Sequence, residues 1–133
     1  MCGGGVVGSI FSGVENMANA VQVDAESKGN AKTVRSVARV EAERIRRAGQ
    51  SGASSARAAA AENGLDVDLG SAAMIQDEHV SDAEFNAMIT KLDADNNASN
   101  IRRAGKMQRN NYGMKAASDL ISAGGQAMSG GWK

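Results

Sequence analysis

The chain has 133 residues, room for one domain, and its 42% apolar content includes only four aromatic side chains, Phe11, Phe85, Tyr112 and Trp132. Large side chains that each bury substantial area are scarce. The composition therefore excludes a thick self-contained core and favours helices packed closely through small residues, with further burial supplied by neighbouring copies or a larger partner. The formal net charge is zero; the single cysteine, Cys2, excludes an intrachain disulfide and a cysteine-based zinc site, and no run reaches the ~18–20 apolar residues of a membrane span.

Residues 1–23 place Val6, Val7, Ile10, Phe11, Val14, Met17, Ala18 and Val21 at helical spacings, which predicts a short amphipathic helix weakened by Gly8 and Gly13. Gly5, Ser9 and Gly13 would form a stripe of small residues along it, of the kind that lets helices approach closely. The apolar face has two readings, docking on a protein surface and lying on a membrane; the absence of any basic residue before Lys28 favours the first. The N-terminus also lacks the basic region and apolar run of a signal peptide, so synthesis and initial residence in a reducing cytosol are expected.

Residues 24–30 read as a polar joint. From 31 to 62 the pattern predicts a first long helix of about 48 Å at ~1.5 Å per residue. Its expected seam is Val34, Val37, Val40, Ile45, Ala48, Gly52, Ala56 and Ala59, with a weak point for kinking around Gly49 and Gly52. Residues 63–71 form an acidic bend. Asn63 and Gly64 tolerate the left-handed region and end a helix, and Ser71 is placed to cap the next one. Between them Leu65, Val67 and Leu69 alternate with Asp66, Asp68 and Gly70, the pattern of an extended connector that tucks three apolar side chains against the helix ends.

A second long helix is predicted over 72–123, whole or broken near Val80, where Ser81 and Glu84 match a capping box. Ile75, Phe85, Met88, Ile89 and Leu92 give its first half a larger apolar face. In the second half Ala94, Ala98, Ile101, Gly105, Gln108, Tyr112, Ala116, Leu120 and Ala123 make a seam of small residues suited to tight helix packing. Residues 124–133 are expected to be a flexible tail, in which Trp132 is a candidate anchor for a partner's pocket. The expected fold is all-α: a long antiparallel helical hairpin with an acidic bend.

Charge is strongly segregated. Residues 28–57 carry eight basic and two acidic side chains, net +6; residues 62–95 carry nine acids and only Lys91, net −8; residues 101–115 carry five basic side chains and no acid. Those five, Arg102, Arg103, Lys106, Arg109 and Lys115, form a patch around Tyr112 suited to non-specific contact with DNA phosphates or to docking on an acidic protein surface, including the acidic bend of another copy. Ile45, Arg46, Arg47, Ala48 and Gly49 recur as Ile101, Arg102, Arg103, Ala104 and Gly105, an echo whose flanks do not match as a duplicated domain would.

Nothing in the chain predicts an enzyme. His79 has only Asp77 and Glu78 beside it, on other helix faces, and no nucleophile is placed against it. Asp93, Asp95, Asn97 and Ser99 imitate the start of a calcium loop, but Ala98 stands where the turn wants glycine and Ala104 where a bidentate glutamate is needed. No glycine-rich phosphate loop is present, and no metal or cofactor is implied.

Three stretches resemble internal virion proteins of short-tailed bacteriophages, of the T7-like core and ejection type. They run from Ala42 to Gly49, from Ser54 to Ala61 and from Asn63 to Ala72, with Ile101–Arg102 and Tyr112–Gly113 matching a later pair. The similarity covers about residues 40–117. It implies packaging inside the capsid near the portal, then release with or ahead of the genome into the host cell envelope. The partners it implies are further copies of the chain, portal, tail and other ejection proteins, genomic DNA and the host membrane.

Overall fold

The computed structural model describes residues 4–129, with side chains described from Val7 onward. It is an all-α helical hairpin of two helices, α1 (Gly4–Glu62) and α2 (Gly70–Ser129), joined by a short bend. The helices contribute to two compact units. One pairs α1 up to Ala31 with α2 from Ser99 onward and is called the end unit; the other, Lys32–Ala98, contains the bend and is called the bend unit.

Both helices run further than the pattern predicts. The polar joint at 24–30 is helix, supported by an ion pair from Lys28 to Asp24 (2.7 Å), a hydrogen bond from Gln22 to Glu26 (2.8 Å), and Ser27, whose hydroxyl donates to the carbonyl of Asp24. Pairs four apart on one helix face stabilise it locally. Gly49 and Gly52 do not interrupt α1, no break occurs near Val80, and α2 continues through Gly124 and Gly125. Trp132 lies outside the described residues, as does the side chain of Val6.

The bend ends α1 with a left-handed glycine. Gly64 has φ +72°, its N–H donates to the carbonyl of Ala61 (3.0 Å), and the N–H of Leu65 donates to that of Ala60 (3.0 Å). This closes the orphan carbonyls of the last turn in a Schellman motif. A second left-handed glycine, Gly70 at φ +67°, opens α2, and Ser71 lies inside the helix. The three-residue apolar plug does not form: Leu65 and Leu69 are exposed and only Val67 is half-buried. Polar bonds hold the bend in its place. Gln76 donates to the carbonyl of Val67 (2.8 Å), and Arg57 pairs with Asp68 (2.9 Å).

The buried seam is made of alanine. Twelve alanines are buried, Ser27 joins them, and among the described residues no large side chain is fully buried. On α1 the seam includes Ala20, Ala31 and Ala42, and in parallel Ser27, Ala38, Gly49 and Ala60; on α2 it includes Ala72, Ala83, Ala94, Gly105 and Ala116. Successive members of each row stand three helical turns apart. The repeat amounts to about 3.67 residues per turn, near the ~3.6 of a straight helix, so a stripe one residue wide stays on one face over many turns.

The large apolar residues lie elsewhere. Val37 and Val40, expected in the seam of α1, are exposed, as are Ile75, Phe85, Met88, Ile89 and Leu92 on α2. The reason is steric. Small residues let the two backbones approach, and at that separation a leucine or phenylalanine would not fit between them.

Candidate assembly surfaces

Close approach is tightest at two glycines, one in each unit. In the bend unit a Cβ on Gly49 would overlap the methyl of Ala83 and stand 2.9 Å from the carbonyl oxygen of His79. In the end unit a Cβ on Gly105 would overlap the side chain of Ser27. These are the final glycines of the two echoed segments, and the echo reaches further than its contiguous residues. At the same constant offset, Ala31, Ala38, Ala42, Ile45, Gly49 and Ala60 recur as Ala87, Ala94, Ala98, Ile101, Gly105 and Ala116, every one buried or half-buried. The flanks differ because only the seam positions repeat. The first arginine of each echo also has a matching task, reaching across to the other helix: Arg46 to Glu84 (2.9 Å) and Arg102 to Asp24 (3.4 Å).

A row of charges runs beside the seam. Arg35, Arg46 and Arg57, spaced like the seam residues, pair with Asp95 (2.8 Å), Glu84 (2.9 Å) and Asp68 (2.9 Å) in the bend unit. These partners are substantially exposed, so each pair contributes at most about 1 kcal/mol. Asp24 holds the next position of the same row before Arg35, carries the opposite sign and meets Arg102 and Arg109.

The basic patch is only partly free. Arg102 is half-buried; it donates to the Ser27 hydroxyl (3.1 Å) and contacts the Asp24 carboxylate (3.4 Å), while Arg109 lies 3.9 Å from the same carboxylate. The sequence segment is free of acid, but α1 delivers one into its middle. Arg103, Lys106 and Lys115 remain exposed, with the Lys115 ammonium 5.9 Å from the Tyr112 ring centre.

Asp24 thus gathers three cations, and its pKa lies below the ordinary value. The hydrogen bond from Lys28 is the main cause, partly opposed by desolvation and reinforced by the charges of Lys28, Arg102 and Arg109. A depressed carboxylate contributes stability above its unfolded pKa and loses it as pH falls through the folded value. Asp24→Asn is therefore expected to melt below the wild type at about pH 6, with the gap closing as pH drops below about 4. Melting curves of both proteins across that range are the check, and a gap unchanged with pH would remove the charge from the explanation.

The outer faces carry the apolar surface. In the end unit Val7, Ile10, Phe11, Val14, Met17 and Val21 are exposed along α1, while buried Gly13 meets Leu120. The small side of this segment thus faces α2, and its apolar side is the one left open. Met17, Ala20, Val21, Gly113, Met114 and Ala117 line an apolar groove of about 580 Å³ in the same unit. In the bend unit Phe85, Met88, Ile89 and Leu92 form a patch on α2, and α1 presents Val37 and Val40 among Arg39, Arg44 and Arg47.

His79 is exposed, yet its ring lies over Gly52, where an added Cβ would stand 3.1 Å from Nδ1. Residues 93–99, the partial calcium loop, are continuous helix. Among the described residues no group of three His, Cys, Asp or Glu side chains is assembled to hold a metal ion, and no helix is long and apolar enough to cross a membrane. The chain matches no protein-family model, no curated protein and no solved structure.

The three-turn spacing of Ala, Ser and Gly and the recurrence of the seam along the chain are both visible in the sequence. A search weighted toward large apolar side chains passes over them, because a methyl group carries little hydropathy signal.

Proposed function

We propose that this chain is a non-enzymatic structural subunit that works as an assembly of its own copies. The observation that carries the reading is the inverted distribution of size: the seam buries alanines, while Phe11, Phe85, Ile89 and Leu92 stay exposed. Burying a large apolar side chain is worth about 1.5–3 kcal/mol, against ~0.8 kcal/mol per methylene-sized group. Most of the burial this sequence could gain is therefore still available to association. Contiguous exposed apolar surface of this kind marks sites of protein or membrane contact.

The resemblance of residues 40–117 gives the assembly its setting in this proposal. It is an internal virion, or ejection, protein of a short-tailed phage, held in the capsid interior or the portal–tail channel and assisting genome delivery across the host envelope. Arg103, Lys106 and Lys115 are its exposed cations for DNA or an acidic partner. The test is quantitative mass spectrometry of purified particles of the virus that encodes the chain, before and after triggered DNA release. Presence in full particles and loss from emptied ones supports ejection. Retention at constant copy number makes the chain a fixed portal or tail adaptor, and absence from both contradicts the virion reading.

The exposed stripe of Val7, Ile10, Phe11 and Val14 supports a second reading, a membrane-active module in a conduit. On that reading liposome binding disappears when residues 1–23 are deleted; equal binding with and without them refutes it.

A further inference from the structure

We infer that copies of this chain join head to tail through their bend units, the outer face of α2 on one copy seating on the outer face of α1 on the next. This deepens the self-association reading and rests on it. The first support is apolar. Phe85, Met88, Ile89 and Leu92 fall at successive turns of one exposed face of α2, a spacing that presents a continuous ridge. Val37 and Val40 are the exposed apolar side chains on α1 in the same unit.

The second support is charge, and it selects which faces meet. Asp95, Glu84 and Asp68 are already paired with Arg35, Arg46 and Arg57 within the chain. Asp77, Glu78, Asp82 and Asp93, which flank the apolar ridge, form no ion pair among the described residues. On α1, Lys32 and Arg39 likewise form none, and Arg44 and Arg47 pair only with Glu41 and Glu43 of their own helix. Two α2 faces would bring acids against acids. Two α1 faces would bring arginines together around a few valines. Only α2 on α1 joins opposite signs while covering the ridge, and complementary potentials of this kind fix partner and orientation.

The third support is level. A Cβ on Gly49 would overlap the methyl of Ala83, which sets these two at one level, and eleven residues along each antiparallel helix Ala38 and Ala94 share the next and line one hollow. Two residues along, Val40 and Leu92 share a level. A neighbouring copy displaced sideways in the same orientation would set Leu92 on Val40. Because the two faces differ, the contact is heterologous. It leaves one face of each kind open at the ends, and repetition gives a ring where the rotation closes or a filament where it does not.

The test is a charge swap followed by sedimentation velocity on the full chain. One variant carries Arg44→Glu and Arg47→Glu, the other Asp82→Lys and Asp93→Lys, and circular dichroism verifies helix content in each. Each variant alone is expected to need at least a tenfold higher concentration to associate than the wild type. An equimolar mixture is expected to recover wild-type association, since each reversed face then meets its complement. Wild-type association with no rescue in the mixture, or variants that associate like the wild type, overturns the head-to-tail pairing and leaves self-association standing. A wild type that stays monomeric at every concentration overturns both.

Discussion

Gly49→Ala and Gly105→Ala are expected to lower the melting temperature, whereas Gly29→Ala, the same change on the same kind of helix, is expected to raise it. The intrinsic effect is shared: alanine in a helix interior is favoured over glycine by about 0.5–1 kcal/mol. Gly29 shows that effect alone, because a Cβ there meets nothing within 4 Å. At Gly49 the new methyl collides with the methyl of Ala83 and presses on the His79 carbonyl, and at Gly105 it collides with Ser27. Neither neighbour is the flexible end of a long side chain, so the helices themselves must move apart. Overpacking of this kind costs about 1–3 kcal/mol, enough to outweigh the helix propensity. Equal shifts in all three variants would mean that the helices do not approach as closely as the seam requires.

The second large effect is an inversion of the usual rule for apolar residues. Ala87→Gln is expected to unfold much of the bend unit, while Phe85→Gln, two residues away, leaves the dissociated chain nearly as stable as before. Ala87 is 0% exposed, so a glutamine there both overfills the seam and buries an amide without a partner. Together these cost several kcal/mol, each being about 1–3. Phe85 is 58% exposed, and surface substitutions usually change stability by less than about 0.5 kcal/mol. The effect of Phe85→Gln is expected in association instead, as a higher concentration for the same sedimentation profile. Chemical denaturation of both variants at a concentration where the wild type is dissociated separates the two contributions. A Phe85→Gln loss as large as that of Ala87→Gln would place the ring in a core rather than on a face.

The fold is legible where local chemistry decides it. Asn63 and Gly64 mark the end of α1 because a left-handed glycine is a backbone requirement that the sequence states directly. The second half of α2 is legible too, since Ala94, Ala98, Gly105, Ala116 and Ala123 have few large competitors around them. The first half misleads for the opposite reason. Phe85, Met88, Ile89 and Leu92 mimic a core face, and their periodicity is real, but the partner that covers such a face need not belong to the same chain. The joint at 24–30 fails as a boundary because its polar residues are tied to one another at helical spacing and Ser27 packs under Gly105.

For the candidate surfaces, the charge blocks are readable in the sequence and their pairing is not. Arg102 looks like a free cation beside Arg103, and only the register of the two helices shows that Asp24 engages it while Arg103 stays exposed. The N-terminal stripe is legible as a single face from its spacing. Which side of that segment meets α2 is marked by buried Gly13, where an added Cβ would stand at ordinary contact distance from Leu120.

On the proposed reading the alanine seam holds the hairpin together only in part, and association of copies completes its burial. Sedimentation velocity and circular dichroism on one dilution series, from tens of micromolar to tens of nanomolar, test it most directly. Oligomers are expected at the upper end, with dissociation on dilution and a fall in helix content or melting temperature that follows the loss of mass. A chain that remains monomeric throughout, with helix content and melting temperature independent of concentration, would contradict it.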